Sequence, residues 1–373
     1  MEEGIVMGLL DTLTSSGAGY ARRAGASITY DSVDITEAIE KYLKSLEYTD
    51  VLTGQADDLQ ITLEDRNGLW LESWFPEKGA TLTASIKTKY WNSLTEAEKE
   101  LPLGIFEIDE IECSAMPSEA KIKAVSVPNN TTLRGEEHTR AWEKYTIKKI
   151  AKDIADKAKM ELVFSAKEDP TIDRVEQSEQ SDLEFLNKLC NDNGLALKVT
   201  DNQIVIFDMT ELEEKEPSIL FVRPSTTQTN TVDEAVAETL KQIKPSGWRF
   251  STTIRDVYKA CTVEYTDGGS KTKISYTFTD PNKKEGKTLL VKQEVKTQAE
   301  AERLAKKSLR EKNQDEVTGS ITCMGDVDLS AGLTVTVKDF GHFDGKYIIS
   351  QVRHTLGSGY TCSVDIRKCL DGY

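Results

Sequence analysis

The sequence lacks the motifs that usually carry catalysis. It has three histidines in 373 residues, His138, His342 and His354, and it contains neither an HExxH zinc motif nor a GxSxG nucleophile elbow. Gly17-Ala18-Gly19 follows no predicted strand and lacks the later glycine of a dinucleotide-binding loop. The 63 acidic residues provide many chance carboxylate pairs, so such pairs do not identify a glycosidase. We therefore expect no enzyme activity, no cofactor and no metal site.

The cysteines lack the spacing of a functional site. No two of them form a CxxC pair, which weighs against zinc binding and redox chemistry. We expect them to act as small buried hydrophobic side chains. The six are Cys113, Cys190, Cys261, Cys323, Cys362 and Cys369.

Long apolar runs and a basic leader are also missing. No run approaches the roughly 18 apolar residues that suggest a membrane-spanning helix. The chain begins Met1-Glu2-Glu3 and has no basic segment before its first apolar residues, so this is a poor signal peptide. We expect no membrane insertion, and assembly in a cytoplasm.

Basic charge is in short supply. The chain has 47 lysines and arginines against 63 acidic residues, which gives a formal net charge of -16. Proteins that read DNA need clustered basic residues to displace counterions from phosphates, so this balance argues against sequence-specific nucleic-acid binding. Two interpretations fit the excess of acidic residues. One is an acidic inner wall that lets DNA slide past, and the other is ordinary surface solubility.

The stretch from Thr297 to Arg367 carries the clearest structural pattern. Thr297 and Glu300 have the spacing of a capping box, and apolar residues follow at helical spacing from Ala301 to Leu309. Beyond them the apolar residues alternate as in half-buried strands, with glycine-containing turns in between. The pattern predicts a β-meander packed on this helix. The alternating segments are residues 320–323, 333–337, 346–350 and 361–366.

A second strand-rich region lies nearer the N-terminus. Asp34 and Glu37 have capping-box spacing, and the apolar positions from Ile35 to Leu46 predict an amphipathic helix. Alternating segments then predict an antiparallel barrel. Its strands are expected at residues 59–63, 69–74, 81–88, 105–113 and 121–127.

Between these regions the sequence predicts a smaller α/β module. Helical spacing runs from Ile147 to Ala158, and Ser181 with Glu184 caps a second helix that ends at Gly194. A strand at 160–164 and a hairpin of 195–199 with 203–207 complete the module. The chain continues through segments expected to be a charged linker at 211–217, a loop at 225–231, a short helix at 232–243, and strands at 251–265 and 273–279.

Short motifs follow one another in a characteristic order along most of the chain. They are Gly54-Gln55-Ala56-Asp57-Asp58-Leu59, Asp65-Arg66-Asn67-Gly68-Leu69-Trp70, Gly104-Ile105-Phe106-Glu107-Ile108-Asp109, Ser181-Asp182-Leu183-Glu184-Phe185-Leu186, Gly325-Asp326 through Leu329 and Gly332, Gly345-Lys346-Tyr347, Val352-Arg353-His354 and Gly359-Tyr360. In this order they resemble the phage late control protein D family, the baseplate hubs of contractile tails.

The resemblance implies an α+β, β-rich fold with two tube-like antiparallel β-barrel domains, each with an amphipathic helix, around a central α/β module. In that family three subunits supply six barrels, so that one ring joins a hexameric tail tube to a trimeric spike. The expected domains are an N-terminal arm at 1–25, a first barrel at 26–130, the central module at 131–210, a linker with a short helix at 211–247 and a second barrel at 248–373.

Candidate structural or interface residues follow from the same motifs and from the aromatic residues. His342 and Asp344 flank Phe343 in a turn, and we favour turn stabilisation over a catalytic or metal role for them. Exposed tryptophans can bind sugars on their flat rings, and the candidates for such a role are Trp70, Trp74, Trp91 and Trp142. Aromatic residues at strand spacing more often lie in cores or interfaces, and we favour that interpretation. The candidates are Trp70, Trp74, Gly104, Phe106, Gly345, Tyr347, Arg353 and His354, the last expected to contact another chain or a backbone group.

The leading hypothesis is a non-enzymatic, homotrimeric baseplate hub of a contractile tail or a tail-like bacteriocin. Its expected partners are further copies of itself, the tail tube protein, the central spike protein, other baseplate proteins and the tape measure protein. It would be found in the bacterial cytoplasm during assembly and then in the baseplate. The alternatives are a tail-associated protein that binds or hydrolyses peptidoglycan, and an adhesin or carbohydrate-binding module.

Overall fold

The fold is built mainly from antiparallel β-strands. The computed structural model describes residues 21–126, 132–200, 203–224, 240–266 and 273–372. Strands account for 51% and helices for 18%, which agrees with the predicted α+β, β-rich class. No helix within these ranges combines the length and the apolar character needed to cross a membrane.

The N-terminal strands form one antiparallel array. Its order is β2-β1-β5-β6-β7-β4-β3. In β6 an extra residue is inserted opposite Ala84 and Ser85, and Gly104, with φ +99°, provides the backbone conformation at this bulge. The strands are β1 Arg23–Tyr30, β2 Val33–Asp34, β3 Leu43–Val51, β4 Asp58–Glu64, β5 Thr81–Lys89, β6 Lys99–Ser114 and β7 Glu119–Val125.

The C-terminal strands continue the same sheet. Strand β21 pairs with β3 from Gln351 opposite Val51 to Leu356 opposite Leu46. This pairing joins both strand-rich regions, so that the described strands of the sheet number 14, and the predicted division into two barrels is not confirmed. The added strands are β13 Ile219–Val222, β14 Lys241–Ile243, β15 Gly247–Thr252, β19 Val317–Met324, β20 Thr334–Lys338, β21 Gly345–Leu356 and β22 Tyr360–Lys368.

One hydrophobic core serves both halves of this sheet. Phe106 from the N-terminal half and Tyr347 from the C-terminal half are both fully buried in it. Each fully buried side chain of this size contributes about 2–3 kcal/mol to folding through removal of apolar surface from water. The two strand-rich regions are therefore packed together as well as hydrogen-bonded.

The helices and strands predicted for the central module are present, with additional strands. Thr146 caps α3, and Ser181 and Glu184 form the predicted capping box at the start of α4. Strand β8 pairs with β10, a pairing that was not predicted, whereas the hairpin of β11 and β12 agrees with the prediction. The elements are α2 Thr132–Gly135, β8 Glu137–Thr146, α3 Ile147–Ala158, β9 Glu161–Ser165, β10 Thr171–Ser181, α4 Asp182–Asp192, β11 Leu195–Val199 and β12 Gln203–Asp208.

The helix that begins after Thr297 is real, but its predicted packing partner was wrong. Its buried residues Ala301, Ala305 and Leu309 pack against Cys261 and Val263 of a separate small sheet, not against the meander. The small sheet offers an apolar face next to the helix in sequence, and the narrow alanine stripe fits closely on it. The elements are β16 Tyr258–Thr266, β17 Lys273–Thr279, β18 Lys287–Val291 and α6 Gln298–Asn313.

Two further predictions in the N-terminal half were wrong. The helix expected from Ile35 to Leu46 is only the single turn α1 Thr36–Ile39, because Leu43–Val51 forms β3. The apolar residues of this segment fit both the helical repeat and the alternation of a strand. Pairing of β3 with β4 and β21 makes the segment a strand. The strand expected at 69–74 is instead a 3₁₀ turn, Leu69–Leu71, where Asp65 accepts a hydrogen bond from the backbone of Trp70.

The expected linker and termini also differ from the structure. The charged stretch at 211–217 contains α5 Met209–Glu214, which Asp208 caps. Of the helix expected at 232–243, residues 241–243 form β14 and the others up to 239 lie outside the described residues, as do the expected loop at 225–231 and residues 1–20 of the expected arm. The arm was predicted to reach residue 25, but β1 begins at Arg23.

The cysteines are free thiols. Five of the six are buried and Cys113 is half-buried. Burial raises the pKa of the Cys190 thiol to about 12, which keeps it uncharged and unreactive at neutral pH. The predicted role as small hydrophobic side chains is confirmed for the buried five.

Candidate functional site

An apolar groove opens beside the predicted residues Trp70 and Trp74. Trp70 is buried, Trp74 is 39% exposed, and their ring centroids lie 5.5 Å apart in an edge-to-face arrangement. Tyr42 also packs edge-on against Trp74, with ring centroids 5.6 Å apart. The groove has a volume of about 300 Å³, at the lower limit for ligand pockets, and is lined mainly by apolar residues of β1, β4, the segment 35–39 and the segment 70–76. Trp70 thus anchors the groove, whereas Trp74 is available to a partner.

Gly104 and Phe106 occupy the interior strand β6. Gly104 forms the bulge described above, and Phe106 is buried edge-on against Tyr48 at 6.0 Å between ring centroids. Both residues act within this chain. β-Bulges change the direction of a strand, and this bulge lies directly before the segment that carries Phe106 into the shared core.

Gly345 and Tyr347 begin strand β21. Gly345 has φ +144°, a conformation that other residues rarely adopt. Tyr347 is fully buried, and its hydroxyl donates a hydrogen bond to the carbonyl of Phe343 at 2.8 Å. Asp344 accepts a hydrogen bond from the backbone N–H of Phe340 at 2.6 Å. These contacts hold the 3₁₀ turn Gly341–Phe343 against the sheet, and Asp344 stabilises the turn, as predicted.

Arg353 and His354 are adjacent but point to opposite faces of β21. Arg353 is exposed. His354 is fully buried between the rings of Tyr48 and Tyr360, and its Nδ1 lies 2.8 Å from the Tyr360 hydroxyl. Burial lowers the pKa of His354 to about 4, so the imidazole is neutral at physiological pH. His354 therefore packs inside its own chain, and Arg353 is the member of the pair that a neighbouring chain can reach.

A buried cluster of two aspartates and a lysine connects three parts of the chain. Lys198 Nζ of β11 lies 2.5 Å from Asp50 Oδ1 and 3.3 Å from Asp57 Oδ2. Asp50 also accepts a hydrogen bond from the backbone of Ala331 at 2.7 Å, and Asp57 accepts one from Val51 at 2.9 Å. We call this cluster the lysine junction. It fixes the central module to the main sheet.

The charges of the lysine junction are unbalanced. Burial raises the pKa of Asp57 from its ordinary value of 3.8 to about 6; Lys198 opposes this shift, and the nearby charge of Asp50 adds to it. One lysine thus has to neutralise two buried carboxylates. This cluster was not predicted, because Asp50 and Lys198 are far apart in the chain and carboxylates are abundant.

A second buried cluster has the opposite charge balance, with two arginines around one glutamate. Glu213 Oε1 of α5 lies 2.5 Å from Arg310 Nη2 of α6 and 2.6 Å from Arg367 Nη2 of β22. Its other oxygen accepts a hydrogen bond from the backbone of Leu370 at 2.9 Å. We call this cluster the arginine junction. It fixes α5 and α6 to the end of the main sheet, and Glu213 lies in the stretch that was predicted to be a linker.

The remaining polar features offer no clear centre for chemistry. His138 Nε2 lies 3.8 Å from Glu136, and the described residues contain no group of three or more His, Cys, Asp or Glu side chains placed to hold a metal ion. A cleft of about 900 Å³ between the main sheet, the central module and α6 mixes both signs of charge, including Glu302, Arg303 and Lys307. Trp91 and Trp142 are buried, so neither offers a platform to a sugar.

Comparison with known proteins identifies the family. Residues 108–360 match the family described as phage tail baseplate hub (GPD). The chain belongs to this family. The resemblance inferred from the short motifs is therefore confirmed.

Two curated members of the family are similar over about half of this chain. The probable baseplate hub protein of Escherichia phage P2 is 30% identical over 220 residues, which are 58% of this chain and 54% of the relative. The corresponding protein of Escherichia phage 186 is 30% identical over 190 residues, 50% of this chain and 46% of the relative. The alignments thus span about half the length of these two hubs.

Solved structures share the fold at low sequence identity. A tail protein from Neisseria meningitidis MC58 has a TM-score of 0.66 at 13% identity, with 92% of this chain and 96% of that chain covered. The 43 kDa tail protein of prophage MuSo2 from Shewanella oneidensis also has a TM-score of 0.66, at 12% identity, with 93% and 98% covered. An Escherichia coli component of the type VI secretion system has a TM-score of 0.51 at 14% identity, with 89% and 75% covered. At these identities the likeness concerns the fold alone.

Proposed function

We propose that this hub-family chain is a non-enzymatic, homotrimeric adaptor between a hexameric tail tube and a trimeric spike. The observation that carries the proposal is the pairing of β3 with β21, which sets two strand-rich regions side by side in one chain. A ring of three copies then contains six strand-rich regions. A ring of this kind matches sixfold symmetry on one face and threefold symmetry on the other.

The mechanism is geometric. The strand order has β2 at one end and β14 and β15 at others, so these edges are unpaired within the described strands. Unpaired edges are liable to aggregate unless another element covers them. In the proposed ring, neighbouring copies cover these edges, and the two tube-like regions correspond to residues 26–130 and 248–373. The central module at 131–210 lies outside the tube.

The proposed partners are the tail tube protein, the central spike protein, other baseplate proteins and the tape measure protein. Assembly takes place in the bacterial cytoplasm, and the finished particle carries the chain in its baseplate. Exposed Trp74 and Arg353 are the members of the predicted set that we assign to interfaces. We assign Trp70, Gly104, Phe106, Gly345, Tyr347 and His354 to internal support of those surfaces.

Electron microscopy of the purified chain tests this proposal. Two-dimensional class averages are expected to show rings with three copies and six lobes in end view. A field of separate particles, each with two lobes, at micromolar concentration would contradict it. Adding purified tail tube protein then tests the adaptor role, because stacking on one face of the ring is expected.

A further inference from the structure

The two halves of the main sheet repeat one arrangement of strands. The N-terminal half has the order β3-β4-β7-β6-β5, and the C-terminal half has the order β15-β19-β22-β21-β20, with antiparallel neighbours throughout. Counted along the chain, the strands in each series come first, second, fifth, fourth and third. Strand β15 therefore corresponds to β3, and β21 corresponds to β6.

The correspondence between β6 and β21 extends to single residues. Gly104 in β6 and Gly345 at the start of β21 both have a positive φ. Four to six residues later each strand forms a bulge against its next neighbour, at residues 108–110 in β6 and at residues 349–351 in β21. The spacing from glycine to bulge is the same, so residues at equal distances from the two glycines correspond.

Aromatic packing fixes the correspondence between β3 and β15. Two residues after each glycine lie Phe106 and Tyr347, and both are buried. The ring of Phe106 packs against Tyr48 of β3 with 6.0 Å between centroids. The ring of Tyr347 packs against Phe250 of β15 with 6.2 Å between centroids. Tyr48 therefore corresponds to Phe250.

The two halves differ at one edge. Beyond its last partner in β20, β21 pairs with β3 over residues 351–356. Strand β6 also extends beyond its last partner in β5, but residues 110–114 pair only with β7 in the part of the chain that the structure describes. In the same ranges β15 pairs only with β19, whereas β3 pairs with both β4 and β21. Each chain thus contains one completed pairing and the two open edges of a second.

Backbone groups of β15 point to its open side. Alternate residues of an antiparallel strand direct their N–H and C=O groups to opposite neighbours. The backbone N–H of Thr253 donates to the carbonyl of Glu316, directly before β19, at 2.9 Å. The residues that bond to β19 are therefore the odd-numbered ones. Trp248, Phe250 and Thr252 direct their backbone groups to the open side.

Strand β6 presents matching groups. The backbone N–H of Asp65 donates to the carbonyl of Ser118 at 2.9 Å, so the even-numbered residues of β7 bond to β4 and the odd-numbered ones bond to β6. In the ladder register these odd-numbered residues face the even-numbered residues of β6 beyond its bulge. Ile111 and Cys113 consequently direct their N–H and C=O groups to the open side.

We propose that β15 of one copy adds to the open edge of β6 in the next copy, in the register that β3 has on β21. In that register Tyr48 lies opposite His354. Phe250 corresponds to Tyr48, and Cys113 corresponds to His354 because each lies nine residues after its glycine. Phe250 thus lies opposite Cys113, and both direct their backbone groups to the contact. The repeat and the hydrogen-bonding directions agree, although each rests on different observations.

This inference rests on the proposed homotrimer and names the strands that build it. Within each chain β3 meets β21, and between chains β15 meets β6, so the two kinds of contact alternate around the ring. A ring of three copies has six corresponding strand contacts and leaves none of these edges open.

Disulfide cross-linking tests the register directly. Ser251 and Glu112 are exposed, and in the proposed register they form a non-hydrogen-bonded pair, in which Cα atoms are about 4.5 Å apart. This separation permits a disulfide. Ser251→Cys with Glu112→Cys, in a Cys113→Ala background, should form a covalent trimer when oxidised with diamide. A non-reducing gel should show the trimer, and reduction should remove it.

Two controls show that the cross-link reports this contact. Ser251→Cys with Glu100→Cys places the second thiol where β5 already covers β6, and it should give no covalent trimer. A mixture of the single variants Ser251→Cys and Glu112→Cys should give covalent dimers and no trimers, because each chain then offers one thiol to the contact.

A backbone substitution provides an independent test. Thr252→Pro removes an N–H that points to the open side and keeps the hydrogen bonds to β19. It should raise the apparent dissociation constant of the trimer at least about tenfold, measured by light scattering across a dilution series. Thr252→Ala keeps the N–H and should leave the constant unchanged. Circular dichroism should match the wild type for both, because edge strands tolerate proline.

The outcomes separate the contact from the trimer itself. If the wild type is a trimer and Ser251→Cys with Glu112→Cys cross-links no better than the control with Glu100→Cys, the strand contact is wrong and the homotrimer stands. Equal dissociation constants for folded Thr252→Pro and Thr252→Ala also overturn the contact. If the wild type is a monomer, the proposed homotrimer fails and the contact fails with it.

Discussion

The lysine junction and the arginine junction attach smaller units to the same sheet with opposite charge balance. In the lysine junction two carboxylates share Lys198, whereas in the arginine junction Arg310 and Arg367 share Glu213. A carboxylate can take up a proton and relieve the imbalance, but a guanidinium stays charged throughout the accessible pH range. The first attachment should therefore respond to pH, and the second should respond mainly to loss of its single acid.

The largest effect is expected at the arginine junction. Glu213→Gln leaves two buried guanidinium groups without a counter-ion, which should lower the free energy of unfolding by about 3–5 kcal/mol. Urea unfolding of the purified chain measures this loss. Glu214→Gln on the same helix is the control, because Glu214 is exposed and its ion pair with Lys167 is worth less than about 1 kcal/mol. Equal losses for the two variants would show that the arginine junction does not hold α5.

A smaller and pH-dependent loss is expected at the lysine junction. Lys198→Met leaves Asp50 and Asp57 facing each other, but one of them can be protonated, so we expect a loss of about 2 kcal/mol at pH 7.5 and less at pH 5.5. Urea unfolding at both pH values checks this, with exposed Lys188→Met as the control. A loss that does not change with pH would mean that the two junctions behave alike.

The titration of Asp57 should be visible in the wild type. Its folded pKa of about 6 lies above the ordinary value of 3.8, so its stabilising contribution is present at low pH and is lost as pH rises through 6. This group alone should make the chain more stable at pH 5 than at pH 7 by about 1 kcal/mol. Asp57→Asn should remove that difference, and Asp109→Asn at an exposed site should keep it. A wild type and an Asp57→Asn variant with the same pH profile would contradict the assignment.

The smallest loss of stability is expected at the uncharged pair of Tyr360 and His354. This pair serves as a reference for the two charged junctions. Tyr360→Phe removes the hydroxyl that lies 2.8 Å from His354 Nδ1 and should cost about 1 kcal/mol. His354 is already neutral above its pKa of about 4, so this loss should be the same at pH 6 and pH 8. Thermal unfolding at the two pH values measures it. A loss that grows at either pH would place a charge in this cluster.

The parts of the fold that the sequence predicted are those set by neighbouring residues. The capping box of Ser181, the helix Ile147–Ala158 and the hairpin of β11 and β12 all depend on residues within a short stretch. Strand β3 was mistaken for a helix because its apolar residues suit both periods, and its pairing with β21 involves residues about 300 positions away. The partner of α6 was missed for a different reason: apolar strands both precede and follow this helix in sequence, and helical spacing alone does not show on which of them it packs.

The candidate site was predictable in part. The ordered motifs led to Trp70 and Arg353, and the aromatic residues at strand spacing led to Trp74; the structure brings Trp70 and Trp74 together at the groove and leaves Arg353 exposed. The two junctions depend on side chains from distant segments, and among 63 acidic residues no local pattern distinguishes Asp50, Asp57 or Glu213.

The mass of the purified wild-type chain in solution tests the central claim most directly. Multi-angle light scattering at micromolar concentration should give about three times the chain mass of 41.6 kDa. A single stable species at 41.6 kDa under those conditions would contradict the homotrimeric hub.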